Sequence, residues 1–122
     1  LIVDDDTFLL DMYSVKFKEK GFDVSLALSS RDALVMLEEG LEPSVIALDI
    51  VMPTMDGLEL LEKIVKDGLA KDSVIVMLTN QSSQPNIDRA LELGAKDYIV
   101  KASAIPSEVY EKIKTLLDKY KK

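Results

Sequence analysis

The chain has 122 residues, 48% of them hydrophobic and 30% charged, enough for one compact core and too little for two. Asp and Glu number 22 against 15 Lys and Arg, a formal net charge of -7, so the surface repels phosphate backbones and anionic lipid and argues against direct nucleic-acid binding. Cysteine and histidine are both absent, which excludes disulfides, thiol catalysis, histidine bases and Cys/His metal sites and leaves carboxylate, hydroxyl and amine chemistry. The longest apolar runs, such as Val74 to Leu78, fall far short of the ~18 residues a membrane span needs, and the opening Leu-Ile-Val-Asp-Asp-Asp is no basic leader. A cytoplasmic protein is expected. Because Leu1 already lies inside an apolar run, the natural start is expected a few residues upstream, with residues 1–122 forming one domain.

In chain order, the first strand is predicted at Leu1 to Val3, followed by a helix from Thr7 to Lys20 that ends at Gly21. Period assigns Leu9, Met12, Tyr13 and Phe17 to the core stripe of that helix and leaves Phe8 and Val15 off it, an apolar excess that suggests docking. Val24 to Leu28 alternates, as suits an edge strand. Ser29-Ser-Arg-Asp32 matches a capping box opening a helix that stops at Gly40. Val45 to Leu48 is a strand without polar alternation, as expected when both faces are covered. Asp56 caps a helix running to about Lys66 before Gly68, and the strand Val74 to Leu78 follows. Pro85 sits in the first turn of the next helix, which Gly94 ends, and Tyr98 to Val100 is the last strand. The final helix starts near Pro106 and puts Val109, Ile113, Leu116, Leu117 and Tyr120 on one stripe. Strict strand–helix alternation gives a doubly wound α/β fold, here a five-stranded parallel sheet of order 2-1-3-4-5 flanked by five helices.

Ligands of such sheets bind beyond the carboxyl ends of the strands, so the residues closing each apolar run are informative. The first strand closes in Asp4, Asp5 and Asp6, the third in Asp49, the fourth in Thr79 and Asn80, and the fifth in Lys101. The first and third strands are neighbours in this order, which brings Asp4 or Asp5 close to Asp49. Like charges at ~4 Å repel by roughly 4 kcal/mol at an effective dielectric of about 20. A proton, a cationic side chain or a metal must offset that. Lys101 supplies one positive charge, and a hard divalent cation held through oxygen would supply more; an open carboxylate site that keeps several waters suits magnesium. Each residue also has a plainer reading: Asp6 as a helix N-cap, Thr79 as a β-former, Lys101 as a solvated charge. The conjunction favours a site. A nucleotide-binding domain of this topology would instead carry a Gly- or Ser/Thr-rich phosphate loop where three anions stand.

With Asp4-Asp5 after the first strand, Asp49 followed by Ile-Val-Met-Pro-Thr-Met-Asp-Gly, Thr79 after the fourth strand and Tyr98-Ile-Val-Lys101 at the fifth, the chain resembles the receiver domain of two-component response regulators over essentially its whole length. The resemblance implies a flavodoxin-like fold. It makes Asp49 the phosphoacceptor, Asp5 and Asp49 direct magnesium ligands together with the Val51 backbone carbonyl, and Asp4 a ligand through water. Thr79 and Lys101 match the phosphoryl-binding pair, and Tyr98 the aromatic switch. The implied partner is a histidine kinase or a histidine phosphotransfer protein, with a downstream effector domain or protein reading the face formed by the fourth helix, fifth strand and fifth helix. Such a domain promotes its own phosphorylation and dephosphorylation rather than acting as an enzyme on other molecules. Departures are Ala102-Ser103 where the family usually has Pro, and Asn80 where it usually has a smaller residue. Val51, Asn80 and Gln81 occupy positions expected to tune rates. Two other readings stand beside this one: an unphosphorylated interaction scaffold, and a magnesium-dependent aspartyl-phosphate hydrolase, whose general acid would have to stand where Val51 does.

Overall fold

A computed structural model describes residues 1–81 and 83–120. Strands β1 (Ile2–Val3), β2 (Leu26–Ala27), β3 (Val45–Leu48), β4 (Val74–Thr79) and β5 (Asp97–Val100) alternate with helices α1 (Thr7–Glu19), α2 (Ser30–Glu38), α3 (Gly57–Lys66), α4 (Gln84–Glu92) and α5 (Pro106–Tyr120). A single 3-10 turn, Lys101–Ser103, links β5 to α5. All strand pairs are parallel and the sheet order is β2-β1-β3-β4-β5, as the alternation predicts.

The sheet divides the core in two, and residue parity along each strand decides the side. Ile46, Leu48, Ile75 and Met77 face one layer with Leu37, Leu60 and Ile64 of α2 and α3. Ala47, Val76 and Leu78 face the other with Leu10, Tyr13 and Phe17 of α1 and Val109 and Ile113 of α5. Fully burying a side chain of this size contributes about 1.5–3 kcal/mol. Capping follows the sequence closely. Asp6 accepts from the Phe8 and Leu9 N–H groups, Ser29 from Asp32, Ser83 from Asn86, and Asp56 with Glu59 forms a reciprocal capping box.

Two helix phases differ from the periodicity. In α1 the buried residues are Leu10, Tyr13, Ser14 and Phe17, while Leu9 and Met12 are only half-buried. Apolar residues surround most of this helix, so period alone does not fix its rotation, and small Ser14 is buried on the face that meets the core. Phe8 and Val15 stand out at 70% and 61% exposed. In α5, Val109 and Ile113 are buried and Leu116 and Leu117 half-buried, but Tyr120 is exposed, with the Lys96 and Lys119 ammonium groups over its ring. The edge strand β2 contracts to Leu26–Ala27 because its one neighbour, β1, offers only Ile2 and Val3 for pairing.

Candidate functional site

The strands converge their closing residues at one end of the sheet. The Asp4 N–H donates to the Ala27 carbonyl at 3.1 Å and the Asp49 N–H to the Val3 carbonyl at 3.0 Å, so both aspartates are fixed by backbone ladder bonds. Asp4 is buried; its Oδ1 accepts from the Asp6 N–H at 3.0 Å and its Oδ2 from Lys101 Nζ at 2.6 Å. The same ammonium lies 3.2 Å from Asp49 Oδ2. All three of these side chains are at most 8% exposed, so the contacts are charge-assisted hydrogen bonds in a poorly solvated setting. Asp5 turns outward and is exposed, yet one carboxylate oxygen from each of Asp4, Asp5 and Asp49 lies within 4.8 Å of the others. Three carboxylates with oxygen donors only, one of them open to solvent, fit a hard divalent cation.

The electrostatics record the crowding. Burial, reinforced by the Asp49 charge and opposed by Lys101 and the Asp6 N–H, holds the Asp4 carboxyl above its usual range. Burial also disfavours the Lys101 ammonium, but the hydrogen bond to Asp4 and the fields of both carboxylates outweigh it and raise its pKa. The two directions agree: the cluster holds more negative than positive charge, so an additional proton or cation is favoured.

Thr79, the last residue of β4, is fully buried; its Oγ1 accepts from the Gln81 N–H at 3.3 Å and the Ile50 N–H at 3.5 Å. Two accepted bonds leave the hydroxyl proton to donate. Tyr98 in β5 donates its hydroxyl to the Gln81 carbonyl at 2.7 Å. Partial burial, with the Asp49 charge adding to it, raises that phenol's pKa and keeps it a neutral donor. Gln81 thus joins Thr79 to Tyr98 through its own backbone, while its side chain is exposed. A cleft of about 330 Å³ opens over the cluster, lined by Asp5, Asp49, Val51, Thr79, Asn80 and Lys101 among others. Gln81 is not among its lining residues, whereas Leu9, a residue that sequence reasoning placed in the core, is. A larger cleft of about 680 Å³ lies at the opposite end of the sheet, near Ile2 and Val45 where β1 and β3 begin, and it brings no such cluster together among the described residues.

Gly57, the last residue of the motif that follows Asp49, shapes the end of β3. Its N–H donates to the Ile50 carbonyl at 2.8 Å, and a Cβ there would overlap the Asp49 carbonyl oxygen and lie 2.8 Å from its carbon. Only glycine permits that approach of α3 to the end of β3. Between them, the Met55 N–H closes on the Pro53 carbonyl at 2.8 Å around Thr54, whose φ of 71° is the left-handed value of a γ-turn. The position usually held by Pro is also accommodated: no peptide bond is cis among the described residues, and Lys101 reaches both aspartates from the 3-10 turn that contains Ala102.

The response regulator receiver domain family matches residues 1–114. This chain belongs to that family. It is 32% identical over 117 residues to the phosphate regulon transcriptional regulatory protein PhoB of Pseudomonas aeruginosa, covering 96% of this chain and 50% of PhoB, so it spans about half the length of that curated relative. Among solved structures it is similar to a CheY-like response regulator receiver domain protein of Methanospirillum hungatei, with a TM-score of 0.89 and 34% identity over 98% of this chain and 92% of that one. It is also similar to a chain of the CheX-CheY-BeF3-Mg complex of Borrelia burgdorferi, with a TM-score of 0.85 and 26% identity over 94% of this chain and 85% of that one. As a receiver domain of two-component systems, the chain carries the family's phosphoacceptor fold. No helix among the described residues is long and apolar enough to cross a membrane.

Proposed function

We propose that this receiver takes a phosphoryl group from a partner phosphohistidine onto Asp49. The observation that carries the reading is the convergence of Asp4, Asp5, Asp49, Thr79 and Lys101 from four strand ends around one open cleft. An Asp49 oxygen would attack phosphorus as the bond to the donor nitrogen breaks, and that nitrogen keeps the electron pair. Phosphoryl transfer of this kind needs positioning and charge stabilisation above all. Lys101 Nζ is already placed against Asp49 and would follow the equatorial oxygens, and the Thr79 hydroxyl, with its lone pairs engaged by backbone N–H groups, has its proton to donate. Asp5, Asp49 and the Val51 carbonyl would hold magnesium, with Asp4 reaching it through water; when bound, the ion supplies the positive charge that Lys101 alone cannot. Val51 offers a hydrolytic water no hydrogen bond and Asn80 narrows the approach, so both are read as rate-tuning positions, with Gln81 acting from outside the cleft. Drawing Thr79 toward the phosphoryl group would alter its bond with the Gln81 N–H and, through the Gln81 carbonyl, the pose of Tyr98. That shifts the population of the α4, β5 and α5 face read by an effector.

The chain is proposed to work as one cytoplasmic receiver unit, serving a histidine kinase or phosphotransfer protein. A scaffold that never accepts phosphate would have no need of a complete acidic cluster, and the hydrolase reading meets apolar Val51 where an acid is required. Intact mass after incubation with a small phosphodonor tests the reading. A gain of roughly 80 Da that needs a divalent cation and vanishes in Asp49→Asn is expected; an adduct persisting in that variant, or forming equally in excess chelator, would overturn it.

A further inference from the structure

The loop between β3 and α3 carries the Val51 carbonyl that is proposed to hold magnesium, and its backbone is strained. At its base the Gly57 N–H donates to the Ile50 carbonyl at 2.8 Å, so residues 51–56 lie outside the sheet ladder. At its tip Thr54 holds φ at 71°, closed by the Met55 N–H on the Pro53 carbonyl at 2.8 Å. A β-branched residue rarely adopts a positive φ, and a backbone held there persists only when its surroundings over-determine it. Pro53 and Thr54 are both exposed, so packing on these two residues does not supply the restraint.

The restraint comes from α2. Ser30, in the first turn of that helix, is 1% exposed and donates its hydroxyl to the Met55 carbonyl at 2.8 Å, across 25 positions of chain. Its neighbour Ser29 already caps α2 by accepting from the Asp32 N–H at 3.1 Å, so the Ser30 hydroxyl has no part in the cap. Among the described residues this is the one hydrogen bond that reaches residues 51–55 from outside the loop. Met55 is thereby held on both sides, its N–H by Pro53 and its carbonyl by Ser30. Met52 and Met55 also pack against the core beside α2 and α3, but apolar contact is non-directional. The Ser30 bond is what orients the backbone.

With the loop pinned at Ile50 and Gly57, any relaxation at Thr54 must be taken up by rotation elsewhere in it. Pro53 has a fixed φ and Met52 is buried, which leaves exposed Val51 among the few residues able to turn. Magnesium demands a near-ideal octahedral set of oxygens, so a carbonyl on a loose loop serves it poorly. We propose that Ser30 is a positioning residue: by holding the Met55 carbonyl it offsets the strain at Thr54 and keeps the Val51 carbonyl oriented for a divalent cation. This rests on the reading of Asp5, Asp49 and the Val51 carbonyl as the magnesium site. It gives α2, which contributes no residue to the lining of the acidic cleft, a part in cation affinity.

The test is a magnesium titration of the unphosphorylated protein, followed by amide NMR, in the parent, in Ser30→Ala and in Ser30→Ala with Thr54→Gly. Ser30→Ala removes only a hydroxyl, and alanine suits a helix; the spectra report directly that each protein is folded. The parent should bind saturably and Ser30→Ala about two- to fivefold more weakly, the upper figure being the worth of one neutral hydrogen bond and the remainder the lost fraction of ordered loop. Adding Thr54→Gly should restore most of the affinity, because glycine takes a φ of 71° without strain. A serine with a merely structural role would lower the melting temperature and leave the dissociation constant where it was. An unchanged constant in Ser30→Ala, or a loss that Thr54→Gly leaves in full, would overturn the role of Ser30 while leaving the magnesium site in place. A parent without saturable shifts around Asp5 and Asp49 would overturn both.

Discussion

At the amino-terminal end of the sheet Phe17, Phe22 and Tyr110 pack edge to face, with ring centroids 5.4 to 5.9 Å apart. At the carboxyl end Asp4, Asp49, Lys101 and Thr79 fill buried space with charges and hydroxyls, while of the aromatic trio only Phe17 is fully buried. The same strands build both ends. The aromatic end is a favourable arrangement by every measure: apolar area leaves water and the ring quadrupoles align. The charged end needs desolvation of ions and keeps carboxylates close that repel one another, which only a partner cation relieves. Stability is therefore concentrated away from the site, and the site is free to change charge when a cation or phosphoryl group arrives.

The comparison breaks first on its apolar side. Phe17→Ala, which opens the aromatic cluster, should cost about 3–5 kcal/mol of unfolding free energy in urea. Phosphorylation of the fraction still folded should persist; a variant as stable as the parent would show that the two ends do not differ as described. Next comes Gly57→Ala, where stability and site meet. The forced overlap with the Asp49 carbonyl should cost about 1–3 kcal/mol and, by displacing Asp49, slow phosphorylation in folded protein at matched denaturant. An unaffected phosphorylation rate would show that the close approach is only packing.

Asp5→Ala separates charge from burial. Because Asp5 is exposed, its loss should alter stability without magnesium by no more than about 0.5 kcal/mol. It should nevertheless remove most of the rise in melting temperature that magnesium gives the parent, since a ligand bound only by the native state stabilises it by mass action. An undiminished magnesium response would place the ion elsewhere. The smallest effect is the pH dependence of Asp4. Its folded carboxyl holds a proton more tightly than the ordinary carboxyl of the unfolded chain, which titrates at 3.8. Its stabilising contribution is thus fully present below 3.8 and is lost as pH rises through the higher folded value. Relative to Asp4→Asn, the metal-free parent should gain stability as pH falls from neutral toward 3.8. Parallel curves for the two proteins in chemical denaturation across that window would contradict the burial argument.

Much of this molecule was legible from one dimension. Apolar runs without alternation, ended by Asp4, Asp49, Thr79 and Lys101, announce covered parallel strands with polar carboxyl ends, because parity and burial leave no other place for those residues. Caps at Asp6, Ser29 and Asp56 were equally plain, since their bonds are local. What stayed hidden depended on contacts distant in sequence. The rotation of α1 turned on which of many apolar residues met the sheet, so Leu10 and Ser14 were buried in place of Leu9 and Met12. Leu9 was thereby freed to line the acidic cleft.

Composition and pattern by themselves determined the doubly wound fold, the strand order and the gathering of carboxylates, a hydroxyl and one lysine at a single edge, because hydrophobic periodicity and crossover handedness leave few other solutions. Tertiary structure alone decided that one ammonium would bridge Asp4 and Asp49 while Asp5 stayed open, and that Gly57 would admit α3 against the Asp49 carbonyl. It alone decided that the Gln81 backbone would join Thr79 to Tyr98. Each of these depends on distances between residues far apart in the chain, and such distances exist only after the sheet has closed and the helices have taken their rotations.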